Sequence, residues 1–253
     1  MKKSIYLVSA LLVLVLVGLS IREKVQASQK ALHANTVQTT QEAVPANTVT
    51  KIQPLKGIGK IKSGAVKAVI LGDSISVSQG ASNPSTTGWN ADLTNSLFDK
   101  YANKIEWDNK GSSGKLIDYS LQKAAEIPNT TDAVFICSGR IDRNFDTPEQ
   151  FSEKYTKLIN IIKEKAPNAD IFCIVEPPSL ISADEYKFWD IRKAIINVSE
   201  KKDSYLLDLW SAFPKDDVLL SGLLEDVLHP NDQGNKLMSD YIYNRLVAVI
   251  NNQ

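Results

Sequence analysis

The sequence predicts a three-layer α/β/α domain built on a mostly parallel sheet of five strands. Three observations carry that expectation. Short runs, among them VKAVIL (66–71) and AVFIC (133–137), are apolar at nearly every position instead of at alternate ones. Such runs mark strands buried on both faces. Segments with helical spacing separate them, as crossover helices would. The residues with the most chemistry fall just after these strands, where open α/β sheets place their sites.

The chain opens with Lys2 and Lys3, followed by an apolar stretch from Ile5 to Ile21 interrupted only by Ser9 and Ser20, and by the small residue Gly18. Its length lies between a signal-peptide core and a membrane span. Val25-Gln26-Ala27 offers small residues suited to cleavage before Ser28. Residues 1–27 are therefore expected to be a signal peptide or an N-terminal membrane anchor, with residues 5–21 as the tether and the lysines retained inside. Residues 28–64 show no sustained period and are rich in Thr, Gln, Ala and Asn, so a flexible linker carrying His33 is expected there. The folded domain is expected over residues 65–253, on the outer side of the cytoplasmic membrane or secreted.

Within that domain the first strand runs from Val66 to Leu71. A helix over 87–98 would bury Trp89, Leu93 and Leu97 on one face. A second strand follows at 104–107, a helix at 116–127 and a third strand at 133–137. The next helix has the clearest start signal: Thr147 as cap, Pro148 in the first turn, and Gln150 three residues after the cap. Phe151, Tyr155, Leu158, Ile161 and Ile162 then recur with helical spacing until Pro167. Strands at 170–175 and 205–209 flank a helix at 183–198, and a terminal helix is expected over 234–250.

The chain carries 29 Lys and Arg against 29 Asp and Glu, so nothing in its charge suggests a nucleic-acid partner. Cys137 and Cys173 lie in apolar strands and read as buried free thiols, the alternative being a bridge between them, whose geometry neighbouring parallel strands rarely meet. No HExxH or histidine cluster offers a metal site, and no cofactor is implied.

Three segments could act together. Gly72-Asp73-Ser74 follows the first strand, where a sharp turn into a helix would expose a serine hydroxyl. Asp226-Val227-Leu228-His229 precedes the terminal helix. An aspartate three residues before a histidine can fold back to fix its tautomer, and His229 is the domain's only histidine. Asn109-Lys110-Gly111-Ser112-Ser113-Gly114 follows the second strand, where Gly114 could present an unhindered N–H. Taken singly, these are also ordinary compositions for a turn, a helix-flanking histidine and a flexible loop.

Together the segments resemble the SGNH hydrolases, also called GDSL-type esterases or lipases, from Val66 to the terminal helix. The resemblance implies a flavodoxin-like α/β fold and hydrolysis of a carboxylic, O-acyl or O-acetyl ester through an acyl-enzyme. It implies that Ser74 is the nucleophile, His229 its base and Asp226 the orienting carboxylate. The N–H groups of Ser74 and Gly114 would then line an oxyanion hole. The family's third block, Gly-x-Asn-Asp, departs here: Gly139-Arg140-Ile141-Asp142 has Ile141 where an asparagine would donate a third hydrogen bond. Arg140, Arg143 and Asn144 are the candidate substitutes, and Asp142 is expected to bond loop amides. The departure keeps a non-catalytic or carbohydrate-binding derivative of the fold as the alternative. Expected partners are a small-molecule or cell-envelope ester and, through residues 5–21, a membrane. An apolar entrance could use Trp89, Phe145 or Trp189, although core packing is the commoner fate of such side chains.

Overall fold

Buried strands need both faces covered, and the chain meets that need with five parallel strands in the order β2-β1-β3-β4-β5. The strands are β1 (Val66–Gly72), β2 (Ile105–Asn109), β3 (Ala133–Cys137), β4 (Asp170–Val175) and β5 (Tyr205–Asp208). This is a computed structural model that describes residues 55–253. The expected signal or anchor segment, residues 1–27, lies outside the described residues, as does most of the expected linker. Among the described residues no helix is long and apolar enough to cross a membrane.

Eight α-helical segments accompany the sheet: α1 (Pro84–Thr87), α2 (Trp89–Tyr101), α3 (Ile117–Ala124), α4 (Pro148–Lys165), α5 (Ser182–Lys201), α6 (Leu209–Ala212), α7 (Asp217–Ser221) and α8 (Asp232–Asn251). One face of the sheet packs on α2 and α8, through Trp89, Leu93, Met238 and Ile242. The other packs on α3, α4 and α5, through Ile117, Phe151, Phe188 and Ile195. On the first face aromatic rings run across the sheet: Trp107 meets Phe135 edge-on at 5.2 Å, Phe135 stacks on Phe172 at 4.7 Å, and Phe172 stacks on Tyr205 at 5.1 Å. Cys137 and Cys173 are both buried and free.

Helix α4 begins as its sequence prescribes. Thr147 Oγ1 accepts the Gln150 N–H at 3.2 Å, and Gln150 Oε1 accepts the Thr147 N–H at 2.9 Å. The expected helix at 87–98 forms as α2, but starts at Trp89 because Gly88, with its backbone extended at φ −71° and ψ 152°, separates it from α1. The chain there passes so close to Pro84 O and Ser78 Oγ that a Cβ would lie 2.4 and 2.7 Å from them.

The expected linker does not reach residue 64. Gly57–Lys62 forms a 3-10 helix, and its Ile58 and Ile61 are fully buried in the core beside α8. Ile58 N–H donates to Asp170 Oδ2 at 2.8 Å, Gly59 N–H to Gln253 Oε1 at 2.9 Å, and Lys60 Nζ pairs with Asp132 at 2.5 Å. Two isoleucines three apart suit the tight 3-10 period, but six residues are too few to register as a pattern. Ile61→Ala is expected to cost about 2–5 kcal/mol by leaving a cavity. A chain cut at Gly64 should likewise melt well below one that starts before Leu55. Equal melting temperatures would show that this segment is not part of the core.

Candidate active site

The turn that carries Ser74 is built around close approach. Gly72 ends β1 opposite Cys137 of β3, and a Cβ there would sit 2.0 Å from Cys137 O. Asp73 N–H donates to that same carbonyl at 3.2 Å, and Asp73 Oδ1 accepts the Ile75 N–H at 3.0 Å, closing the turn over Ser74. The helix expected after Ser74 does not form. Residues 74–80 make successive turns instead, in which Gln79 N–H donates to Ser74 O at 3.0 Å and Ser78 takes a positive φ of 55°.

The loop after β2 is tied to this turn. Ser112 N–H donates to Gly72 O at 3.0 Å, Asn109 Nδ2 to Ser76 O at 2.9 Å, and Ser113 Oγ to Gln79 Oε1 at 2.6 Å. Gly114 stands at the loop's end with φ +74° and nothing within 4 Å of a would-be Cβ. Among the described residues, neither the Ser74 nor the Gly114 N–H donates to a protein acceptor.

The third loop delivers the histidine. A bridge between Leu224 and Pro230, with Glu225 N–H donating to His229 O at 2.8 Å, folds residues 224–230 back on themselves. Asp226 Oδ1 accepts the N–H groups of Leu228 and His229, each at 2.7 Å, while Oδ2 lies 2.7 Å from His229 Nδ1. His229 Nε2 in turn lies 3.0 Å from Ser74 Oγ. Residues separated by 155 positions thus form one continuous relay. Partial burial works against the Asp226 charge, but the imidazole bond and the two amides outweigh it and hold this carboxyl below its ordinary value. Asp226 remains half exposed, whereas Ser74 is nearly buried.

Gly80 sets how closely the first and third loops meet. It has φ +99°, and a Cβ would stand 2.6 Å from Pro230 O and 2.9 Å from His229 Cβ. Gly80→Ala should therefore push His229 off Ser74 as well as strain the backbone, lowering kcat by roughly tenfold or more. The strain alone is worth about 1–2 kcal/mol. Kinetics beside a melting curve would separate the two effects, and an unchanged kcat in a folded variant would refute the steric reading.

The three candidates for the missing donor are engaged elsewhere. Arg140 is fully buried, with its guanidinium bonded to Glu185 and Pro177 O and stacked 3.7 Å from the Phe188 ring centroid. Arg143 pairs with Asp184 at 2.6 Å, and the exposed Asn144 accepts from Lys187 Nζ at 3.3 Å. The reason is local: Asp184, Glu185 and Lys187 all lie at the start of α5, which draws these side chains to itself. Ile141 is only partly buried. Asp142 Oδ1 accepts the Ile117 N–H at 2.9 Å, and burial pushes its carboxyl up to about 7. Of the entrance candidates, Trp89 is core, whereas Phe145 and Trp189 are exposed, at 68% and 41%.

A family model described as the GDSL-like lipase/acylhydrolase family matches residues 70–237, which span all three loops. The chain belongs to that family. Like other GDSL-type enzymes, it is a carboxylic ester hydrolase. Solved structures agree on the GDSL fold. A G-D-S-L lipolytic protein from Veillonella parvula aligns at TM-score 0.60 and 15% identity, over 71% of this chain and 97% of its own. Est24, a carbohydrate acetylesterase from Sinorhizobium meliloti, aligns at 0.60 and 13%, over 73% and 99%. The psychrotrophic esterase EstA from Pseudoalteromonas, solved with a monoethylphosphonate inhibitor, aligns at 0.58 and 21%, over 73% and 98%. A search of the curated proteins gives no match. Glu176, a buried acid directly after β4, was not anticipated from the sequence; its one signal was a carboxylate closing the apolar run DIFCIV.

Proposed function

We propose that this GDSL hydrolase is a serine esterase that cleaves carboxylic esters, O-acetyl groups included, outside the cytoplasm through an acyl-enzyme on Ser74. The observation that carries the reading is the relay from Asp226 through His229 to Ser74, at 2.7 and 3.0 Å. With its proton on Nδ1, held by Asp226, His229 offers Nε2 as acceptor for the serine proton. Ser74 Oγ attacks the ester carbonyl, and the carbonyl oxygen becomes an oxyanion facing the free N–H groups of Ser74 and Gly114. His229 returns the proton to the leaving alcohol. Water activated by the same imidazole then releases the acid. The external location rests on Lys2-Lys3 and the apolar run 5–21. The inclusion of O-acetyl esters leans on the carbohydrate acetylesterase among the structural neighbours.

The full chain incubated with a serine-directed phosphonate should carry the label on the peptide containing Ser74. Label on any other peptide, or undiminished turnover by Ser74→Ala, would overturn the assignment. Protease applied to intact cells after removal of wall material should reach the domain, and recovery of it intact from the cytosol would overturn the location.

A further inference from the structure

Behind Ser74 lies a polar cluster for which the hydrolysis scheme has no use. Asp73 and Glu176 follow the ends of β1 and β4, with Cys137 at the end of β3 between them. Both carboxyl groups are buried, at 1% and 0% exposure. Glu176 is well supplied with donors: Oε2 accepts the Arg140 N–H at 2.6 Å, and Oε1 lies 3.8 Å from Cys137 Sγ. Asp73 is not. Its Oδ1 takes the Ile75 N–H, while Oδ2, wholly buried, meets no donor at all. A buried carboxylate oxygen without a donor is costly, whereas a carboxylic acid O–H needs only an acceptor. The Glu176 carboxylate, within hydrogen-bond reach of Asp73, is such an acceptor.

We propose that Asp73 and Glu176 share a single proton, carried by Asp73, and that this pair is a positioning device for the nucleophile. It ties the turn at Ser74, through Asp73, to the loop after β3, through the Arg140 amide. It also keeps the carboxyl adjacent to Ser74 uncharged, so that no negative charge stands beside the developing oxyanion. The proposal rests on the esterase reading for its effect on rate, but not for the existence of the pair.

The surroundings agree with this distribution of charge. Burial drives Asp73 well above the usual carboxylate range, the Glu176 charge adds to it, and only the Ile75 amide pulls the other way. Burial raises Glu176 too, but against the Asp73 hydrogen bond, Arg140 and Arg143, which favour its anion. The other titratable groups near the pair are Asp142, which raises Asp73 further, and the buried Cys137 and Tyr155, both pushed up by burial and thus neutral.

The two amide substitutions are not equivalent on this account. Asp73→Asn keeps the geometry, because the amide still accepts from Ile75 and donates to Glu176. Glu176→Gln accepts from Arg140 and donates to Asp73, which moves the charge to Asp73, next to the oxyanion. Asp73→Asn should keep kcat within about threefold, whereas Glu176→Gln and Asp73→Ala should lose about tenfold or more in kcat with KM little changed. Infrared spectra of the full chain, taken well above the value of about 7 held by Asp142, should show the carbonyl stretch of a protonated carboxyl. Asp73→Asn and Glu176→Gln should both lack that band. A wild-type spectrum without the band, or a band that survives Asp73→Asn, would overturn the shared proton. A folded Asp73→Asn as slow as Asp73→Ala would overturn the positioning role. If the wild-type chain turned over no ester, the esterase reading would fail by itself and the infrared arm would still decide the pair. The same arm decides if Glu176→Gln does not fold.

Discussion

His229→Ala is expected to remove nearly all turnover, by about 10⁴-fold or more, and Asp226→Asn about 10²-fold or more while leaving the domain folded. The first loss follows from the 3.0 Å contact between Nε2 and Ser74 Oγ, since no other described side chain bonds that hydroxyl. A loss of about 10⁴ corresponds to about 5.5 kcal/mol of transition-state stabilisation. The second follows from tautomer control. Asparagine at 226 can keep its carbonyl oxygen on the amides of Leu228 and His229, so the loop should hold its shape. Its amide nitrogen would then donate to Nδ1, forcing the histidine proton onto Nε2, where it blocks acceptance from Ser74. Because Asp226 is half exposed, water can compete for Nδ1, which places the expected loss below that of the histidine. The measurement is kcat on a small acetyl ester, with circular dichroism to check folding. Full activity in either variant would mean that another base serves Ser74.

The same loop shows acid sensitivity with a definite sign. The Asp226 carboxyl is held below its ordinary value, so its contribution to stability is present above that ordinary value and is lost as pH falls through the lower folded one. The buried Asp142 works in the opposite sense. With its carboxyl pushed up to about 7, the fold is favoured below the unfolded value near ~4 and loses that contribution as pH rises through about 7.

What the sequence made legible is what depends on pattern over many residues. Continuous apolar runs announced the parallel sheet, and the Thr147–Gln150 capping box announced α4, because both signals are local and repeated. The Asp226–His229 contact was also readable, since three residues in one turn leave few geometries. Contacts made by single residues across the fold were not. The burial of Ile58 and Ile61 depends on α8, at the far end of the chain. The fate of Arg140 depends on Glu185 in α5, which no spacing rule connects to the third block. Turn chemistry hid the conformation after Ser74: Ser78 at positive φ breaks a stretch whose composition would permit a helix.

Ile141→Asn is expected to raise kcat by up to ~100-fold, with KM changed much less. Ile141 has no donor, and the three neighbours that could have replaced one are committed: Arg140 to Glu185 and Pro177 O, Arg143 to Asp184, Asn144 to Lys187. On the proposed mechanism the oxyanion is served by the backbone amides of Ser74 and Gly114, with no side-chain donor from residue 141. The loop that carries residue 141 follows β3, whose last residue meets the Ser74 turn where Asp73 N–H donates to Cys137 O at 3.2 Å. An asparagine there would add a hydrogen bond that strengthens as charge builds on the carbonyl oxygen, which is why the gain should fall on kcat. The usual objection to placing an amide at an apolar position is desolvation, but Ile141 is only partly buried and its substitution should cost little stability. Initial rates on an acetyl ester, measured well below the melting temperature of both proteins, decide the matter. A folded variant no faster than the wild type would show that the two amides already saturate the oxyanion, or that residue 141 faces away from it. A second substitution, Arg140→Ala, separates these cases from a hidden role for the arginine. It should destabilise the fold by emptying the buried site of the guanidinium and leaving the Glu185 charge only its bonds from the Ser179 N–H and Trp210 Nε1, yet leave the gain from asparagine in place.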